Sequence, residues 1–396
     1  MTSFREFFVG PWRAVPVLGV TQILSWGAIY YTPVLIVPLI VHERGWSIAF
    51  GMGGFSIGLL AAGLVSPLVG RSIDRFGGHV TMTAGSLLGA LGLVLVVYAE
   101  GRVTYLAAWM VLGIAMAANL YDSAFGTLGR IFGAAARRPI TALTLAGGFA
   151  STVSWPATHF LIEAVGWRGT YLIYAALLAG ISAPLHALAL PRERFEASSV
   201  PAGEAAAPAK MLPSRGLPFI LVAWAFAAYA FVPSGLSAHL LAIFARHGIG
   251  ADTVVWIGAL FGPAQVGARL IEFSFGRDVH PLWIVRFALG TLLCAFVMLA
   301  VLGMSVPVAA AFALMFGGAN GLVTITRGSV PLTLFGPAGY GRLMGRLAGP
   351  SLVVQSAAPL VMAFVIEKSS DAAALGLTAA FAATALGCFV VIRRGA

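Results

Sequence analysis

The chain has 396 residues, of which 59% are apolar and only 10% charged, and its mean hydropathy is +0.93. A soluble domain carries about 25% charged residues, so this composition excludes an ordinary water-soluble enzyme and makes lipid the expected solvent. The formal net charge of +10 lies mainly in short gaps between apolar runs, a pattern of membrane topology rather than of nucleic-acid affinity.

A spanning helix needs about 20 mostly apolar residues. Taken in chain order, the first such run covers 14–40 and carries Gln22, Trp26 and the pair Tyr30-Tyr31. No small-residue cleavage site follows it, so a cleaved leader is not expected. Further spans are predicted at 48–69, 80–99, 104–131, 140–164 and 170–190. Residues 191–216, rich in Pro, Ala, Ser and charge, read as a linker. Six more spans follow, at 217–244, 253–275, 282–303, 307–333, 345–366 and 373–392. Cys294 and Cys388 both fall inside apolar runs without metal-ligand spacing. Neither a metal site nor a disulfide is expected of them.

The expected fold is therefore all-α and integral to the membrane, with twelve spans in two bundles of six, 1–190 and 217–396, joined by the linker 191–216. With both termini cytoplasmic, fifteen basic residues fall inside: Arg5, Arg13, Arg71, Arg75, Arg137, Arg138, Arg192, Arg194, Lys210, Arg215, Arg277, Arg342, Arg346, Arg393 and Arg394. Five fall outside: Arg44, Arg102, Arg168, Arg246 and Lys368. That asymmetry orients the chain N-in and C-in.

The second half repeats the first at a shift of about 200 residues. Ala146-Gly147, Pro156 and Phe160-Leu-Ile-Glu163 answer to Ala348-Gly349, Pro359 and Phe364-Val-Ile-Glu367. Asn119 answers to Asn320, Pro33 to Pro233, and Arg71-Ser-Ile-Asp74 to Arg269-Leu-Ile-Glu272. Six spans per half make the repeats parallel, which implies a substrate site between them near the bilayer midplane and alternating access by rocking.

The segment Gly70-Arg-Ser-Ile-Asp74-Arg75-Phe-Gly77-Gly78-His79 follows the second span. It resembles the signature loop of the major facilitator superfamily: glycine, three residues, aspartate, basic, any, glycine. The family's closing basic pair is reduced here to His79. The resemblance implies a gate, with Gly70 and Gly77 permitting close helix packing and Asp74 and Arg75 capping or pairing with neighbouring helix ends. Glu272 falls at the corresponding place in the second half. Within the superfamily, Gly45-Trp46-Ser47, Gly166-Trp167-Arg168 and Gln265-Val-Gly-Ala-Arg269 resemble the monocarboxylate-transporter branch and its bacterial relatives. That resemblance implies an arginine, Arg269, on the substrate carboxylate. The internal repeat instead sets Arg269 against Arg71 at a helix end, so both roles, ligand and gate, stand.

Ionisable side chains inside spans are costly and mark function by default. Asp122 in span 4 is the candidate for proton coupling, with His239 in span 7 as a second. Arg269 or Arg327 is expected to bind an anion, alongside the polar residues Asn320, Asn119, Gln265, Tyr30 and Tyr31. Each has a structural alternative: a charge pair, a satisfied histidine, or aromatic packing. Arg130 reads as a cation reaching toward lipid headgroups. No phosphate-cradling loop and no catalytic constellation occurs, so no cofactor, ATP drive or enzymatic activity is expected. The expected function is secondary transport of a small organic anion, a carboxylate, with protons, by a monomer in a bacterial inner membrane. The alternatives are proton-driven efflux of a drug or metalloid and, more remotely, a membrane-embedded enzyme.

Overall fold

The computed structural model describes residues 10–192, 216–276 and 278–392. Most of the predicted linker lies outside the described residues, as do the topological charges Arg5, Arg194, Lys210, Arg215, Arg277, Arg393 and Arg394. Among the described residues every regular element is helical and there is no strand. An apolar medium offers backbone N–H and C=O groups no partners, so each segment must satisfy its own, and the helix does so. Among the described residues ten helical runs are long and apolar enough to cross a bilayer; one of them, Arg102–Ala189, is 88 residues long and contains the fourth, fifth and sixth predicted spans. Large apolar side chains such as Leu64, Leu68, Phe160 and Phe287 are 60–69% exposed, as expected of faces that meet lipid.

The helices form two compact units, one of Met1–Ala205 with Gly336–Gly349 and the other of Ala206–Phe335 with Pro350–Ala396. In the first unit α1 (Ala14–Ser25) runs through a π-helical turn, Trp26–Tyr31, into α2 (Pro33–Arg44). Next come α3 (Ile48–Phe76), α4 (Gly78–Tyr98), α5 (Arg102–Asn119) and α6 (Tyr121–Phe132), then α7 (Arg137–Gly148) and α8 (Ala150–Leu177). Helix α8 is divided at Gly166, whose φ of 70° and ψ of 173° are not helical and suit a residue without a side chain. Further π-helical turns, Leu178–Ser182 and Leu185–Ala189, extend it.

The second unit contains α9 (Leu217–Arg246), α10 (Ala251–Ala259), α11 (Phe261–Phe275), α12 (Pro281–Leu302) and α13 (Val306–Phe335). It also takes the later part of α14 (Tyr340–Lys368) and all of α15 (Asp371–Val391). The start of α14 belongs to the first unit.

Helix contact in lipid depends on close backbone approach, because lipid tails are as apolar as the side chains. The α3–α5 contact shows this at Gly113, where a Cβ would overlap the carbonyl oxygen of Gly58. Gly53, on the same helix as Gly58, faces open space. We therefore expect Gly113→Val to lower the melting temperature of the detergent-purified protein by several degrees, a cost of about 1–3 kcal/mol. Gly53→Val should leave it nearly unchanged, and equal effects would contradict this packing.

Candidate functional site

The second unit buries the charge. Among the described residues, Arg269 and Glu272 are the Arg, Lys, Asp or Glu side chains that reach full burial, at 4% and 7% exposure. Both lie on α11, less than one turn apart. Arg269 Nη2 donates to Gln265 Oε1 at 3.4 Å, a long bond from the preceding turn. Helix α13 lies close against this stretch at Gly321, where a Cβ would come within 2.6 Å of the Gln265 carbonyl oxygen. Asn320 is its neighbour in sequence, and Asn320 Oδ1 accepts a 2.6 Å bond from the hydroxyl of Tyr229 on α9. Three helices thus bring Arg269, Gln265, Asn320 and Tyr229 together. Arg327 lies about two turns further along α13 and is half-buried. His239 is committed to a helix–helix bond, at 3.0 Å from the Pro359 carbonyl oxygen.

The first unit has a different arrangement. Its fourth span is broken at Leu120, whose ψ of −172° separates α5 from α6. Asp122 therefore occupies the first turn of α6, where the helix dipole favours negative charge. It lines a small cavity with Ser66, Gly70, Ser123, Gly341 and Gly345. Asn119 is fully buried. Its Oδ1 accepts from Ser86 Oγ at 3.3 Å, Ser86 Oγ meets His186 Nδ1 at 3.0 Å, and His186 Nε2 meets Thr21 Oγ1 at 2.9 Å. Tyr30 and Tyr31 lie in the π-helical turn, packed on Trp26 at centroid distances of 4.7 and 5.8 Å.

The signature loop ends α3 and starts α4. Gly77, at φ 92°, reverses the chain between them. Asp74 Oδ1 accepts from Gly341 N at 2.9 Å, and Oδ2 accepts from Arg342 N at 2.8 Å. The carboxylate thus caps the N-terminus of α14, satisfying two N–H groups that a helix start leaves open. Gly70 is required at this contact, since a Cβ there would overlap the Gly341 carbonyl oxygen. Arg75 is exposed and rests over the Phe76 ring. Arg130 does not reach for headgroups: its Nη1 donates to the carbonyl oxygens of Ile73 and Asp74, closing the C-terminus of α3.

Sequence reasoning missed several residues. Tyr229 carried no charge or motif to mark it, although the alignment of span 7 with span 1 sets it within a few residues of the counterpart of Trp26. An ion pair at the end of each unit was also missed. Arg168 binds Glu43 through two bonds of 2.7 and 2.5 Å, and Trp167 Nε1 adds a third at 2.9 Å. Arg246 binds Asp371 through bonds of 3.0 and 2.5 Å. In the first unit the acid is on α2 and the base on α8, whereas in the second the base is on α9 and the acid on α15. Solvent-accessible pairs of this kind contribute about 0–1 kcal/mol each, and they orient helix ends more than they stabilise.

Replacing Asp74 by Asn exchanges one acceptor oxygen for a donor that opposes a backbone N–H. The loss is about 1.5–3 kcal/mol for a bond to a charged group. In a protein whose native cysteines are replaced by serine, a thiol introduced by Met344→Cys should react with maleimide roughly tenfold faster once Asp74→Asn is added. Unchanged reactivity would remove Asp74 from the closure of α14.

Comparison with known proteins agrees with this architecture. Human monocarboxylate transporter 11 is 28% identical over 220 residues, 52% of this chain and 44% of its own. Rat monocarboxylate transporter 3 is 37% identical over 116 residues, 28% of this chain and 23% of its own. The matched part of the chain thus spans less than half the length of these curated relatives. Among solved structures, the human organic anion transporter MFSD10 (TETRAN) superposes with a TM-score of 0.71 at 17% identity, covering 95% of this chain and 99% of that one. The E. coli fucose:proton symporter FucP superposes with a TM-score of 0.73 at 10% identity, covering 95% and 98%. At such identities the likeness is one of fold. The relatives are transporters, not enzymes. Residues 18–349 match the Major Facilitator Superfamily as a whole, and the chain belongs to that superfamily of membrane transporters.

Proposed function

We propose that the protein carries a small organic anion, a monocarboxylate, across a bacterial inner membrane together with protons, by alternating access. The observation that carries this reading is the buried guanidinium of Arg269 on α11. A cation inside a span costs about 2.5–3.5 kcal/mol on insertion scales and persists where it serves a ligand or a partner. A guanidinium offers a planar fork that matches a carboxylate. Gln265, Asn320 and the Tyr229 hydroxyl stand beside it as neutral groups that orient a small polar ligand. The similarity to monocarboxylate transporters supports the same substrate class. Arg327 is the second candidate for the anion.

Proton coupling is assigned to Asp122, the acid in the interrupted fourth span, whose protonation would neutralise a charge as the anion binds. His239, held on the Pro359 carbonyl, is the weaker candidate. Gating belongs to Gly70, Asp74, Arg75 and Gly77, with Glu272 as counterpart in the second half. Counting the run Arg102–Ala189 as three crossings supports twelve spans, and the excess of basic residues on one side supports termini in the cytoplasm. The boundaries 1–190, 191–216 and 217–396 and a monomeric state belong to the same reading.

A ligand that binds only the folded protein raises its stability by about 2.7 kcal/mol at a concentration of 100 Kd. A thermal-shift screen against carboxylates, sugars, amino acids and cationic drugs should therefore single out short-chain monocarboxylates. In proteoliposomes, Arg269→Gln should weaken their binding by at least about 2 kcal/mol, roughly thirtyfold. Asp122→Asn should abolish acceleration of uptake by an inward proton gradient while leaving exchange of preloaded substrate. Stabilisation by cationic drugs alone would replace this reading with efflux. Full gradient-driven uptake by Asp122→Asn would remove the proton role of that residue.

A further inference from the structure

A break in a helix leaves carbonyl oxygens without the N–H groups four residues ahead, and in an apolar interior something else must take them. At the interruption of the fourth span two side chains do so. Ser123 Oγ donates to Ala117 O at 2.6 Å, and Gln22 Nε2, from α1, donates to Asn119 O at 2.5 Å. Gln22 has no exposed surface. The orientation of its amide is set by its other contact. Trp26 Nε1, a donor only, gives its proton to Gln22 Oε1 at 3.1 Å, so the amide nitrogen faces the carbonyl.

Both ends of this bridge lead to candidate functional groups. The Trp26 ring packs on Tyr30, Tyr31 and Tyr121, with centroids 4.7, 5.8 and 5.1 Å away. Tyr121 and Asp122 are the first two residues of α6. On the other side, Ser86 Oγ donates to the Asn119 side chain and is itself bonded to His186, so the residue whose carbonyl Gln22 grips is held from a second direction. One amide thus joins the aromatic cluster of the first span to the backbone that orients Asp122.

We propose that Gln22 is a positioning residue for Asp122. Its amide holds the fourth span interrupted, and it passes any displacement of the Trp26 cluster, such as ligand contact would cause, to the first turn of α6. This deepens the reading of Asp122 as the proton-carrying group and rests on it. The contact itself does not depend on what the protein carries.

Two substitutions separate positioning from packing. Gln22→Met keeps the volume and removes both polar contacts. Gln22→Glu keeps the shape and restores both contacts when its carboxyl is protonated, donating to the Asn119 carbonyl and accepting from Trp26. Hydrogen–deuterium exchange of the peptide 117–126 is measured in the purified full-length protein at pH 5 and pH 9, against wild type at the same pH. Gln22→Met should exchange roughly fivefold to tenfold faster at both values, the worth of one buried hydrogen bond. Gln22→Glu should return to the wild-type rate at pH 5. Should either variant fail to fold, Trp26→Phe, which removes the indole N–H from Gln22 and keeps one aromatic ring on the tyrosine cluster, should raise exchange in the same peptide by a smaller factor. The proposal is overturned if Gln22→Met lowers the melting temperature yet leaves this peptide unchanged, if Gln22→Glu matches Gln22→Met at pH 5, or if Trp26→Phe has no local effect. Gradient-driven uptake retained by Asp122→Asn would instead remove the proton role of Asp122 and leave the exchange result standing.

Discussion

Every backbone N–H and C=O inside a bilayer must find its partner within the protein, and the rest of this structure depends on that requirement. It accounts for the all-helical fold, and it also accounts for the polar side chains found where a helix departs from regularity. At Leu120 the fourth span breaks, and Gln22 and Ser123 supply the missing donors. At Pro359 the ring removes the N–H that the Gln355 carbonyl would have met, and Ser234 Oγ donates there at 2.8 Å instead. Arg130 at the end of α3 and Asp74 at the start of α14 do the same for helix termini. Several polar residues that look like ligands in a hydropathy plot are thus committed to completing the backbone.

The two units apply this requirement to a repeated sequence with different results. In the first, span 4 is broken, and a hydrogen-bonded chain runs from Thr21 to His186, from His186 to Ser86 and from Ser86 to Asn119. In the second, α13 runs unbroken past Asn320, and the charges Arg269 and Glu272 are buried on the adjoining α11. The equivalent asparagines show the difference. Asn119 has its carbonyl held by Gln22 from span 1, whereas Asn320 has its side chain held by Tyr229 from span 7. The ion pairs at the helix ends differ in the same way, with acid and base exchanged between units. Sequence divergence has therefore kept the contact points and changed the chemistry placed on them.

Much of the fold was legible before any coordinates. Apolar runs of 20 residues or more and the Gly-Arg-Ser-Ile-Asp-Arg-Phe-Gly segment carry their meaning in local composition and spacing. Arg269 was legible as a candidate because a charge in an apolar run stands out. Its companions were less so. Asn119 resembles a ligand residue in sequence and is instead enclosed by Ser86 and Gly85. Tyr229 and Gln22 are ordinary membrane residues until the helices they meet are known. Arg130, near a predicted membrane boundary, suggested a headgroup contact, yet the carbonyls of Ile73 and Asp74 are within its reach and bind it more directly.

The sequence by itself determined the solvent, the helical class, the repeat and the family, because these follow from hydropathy, period and short motifs that neighbouring residues carry among themselves. It offered Asp74 as a candidate through the glycine-bounded segment that resembles the family's signature loop. Only the tertiary structure decided what each polar side chain touches. It gave Asp74 the N–H groups of Gly341 and Arg342, more than 260 residues away, and it gave the Asn119 carbonyl to Gln22, 97 residues away. Partners at such separations are chosen by how closely helices approach, and that is set by glycines on facing surfaces, which a single sequence does not pair.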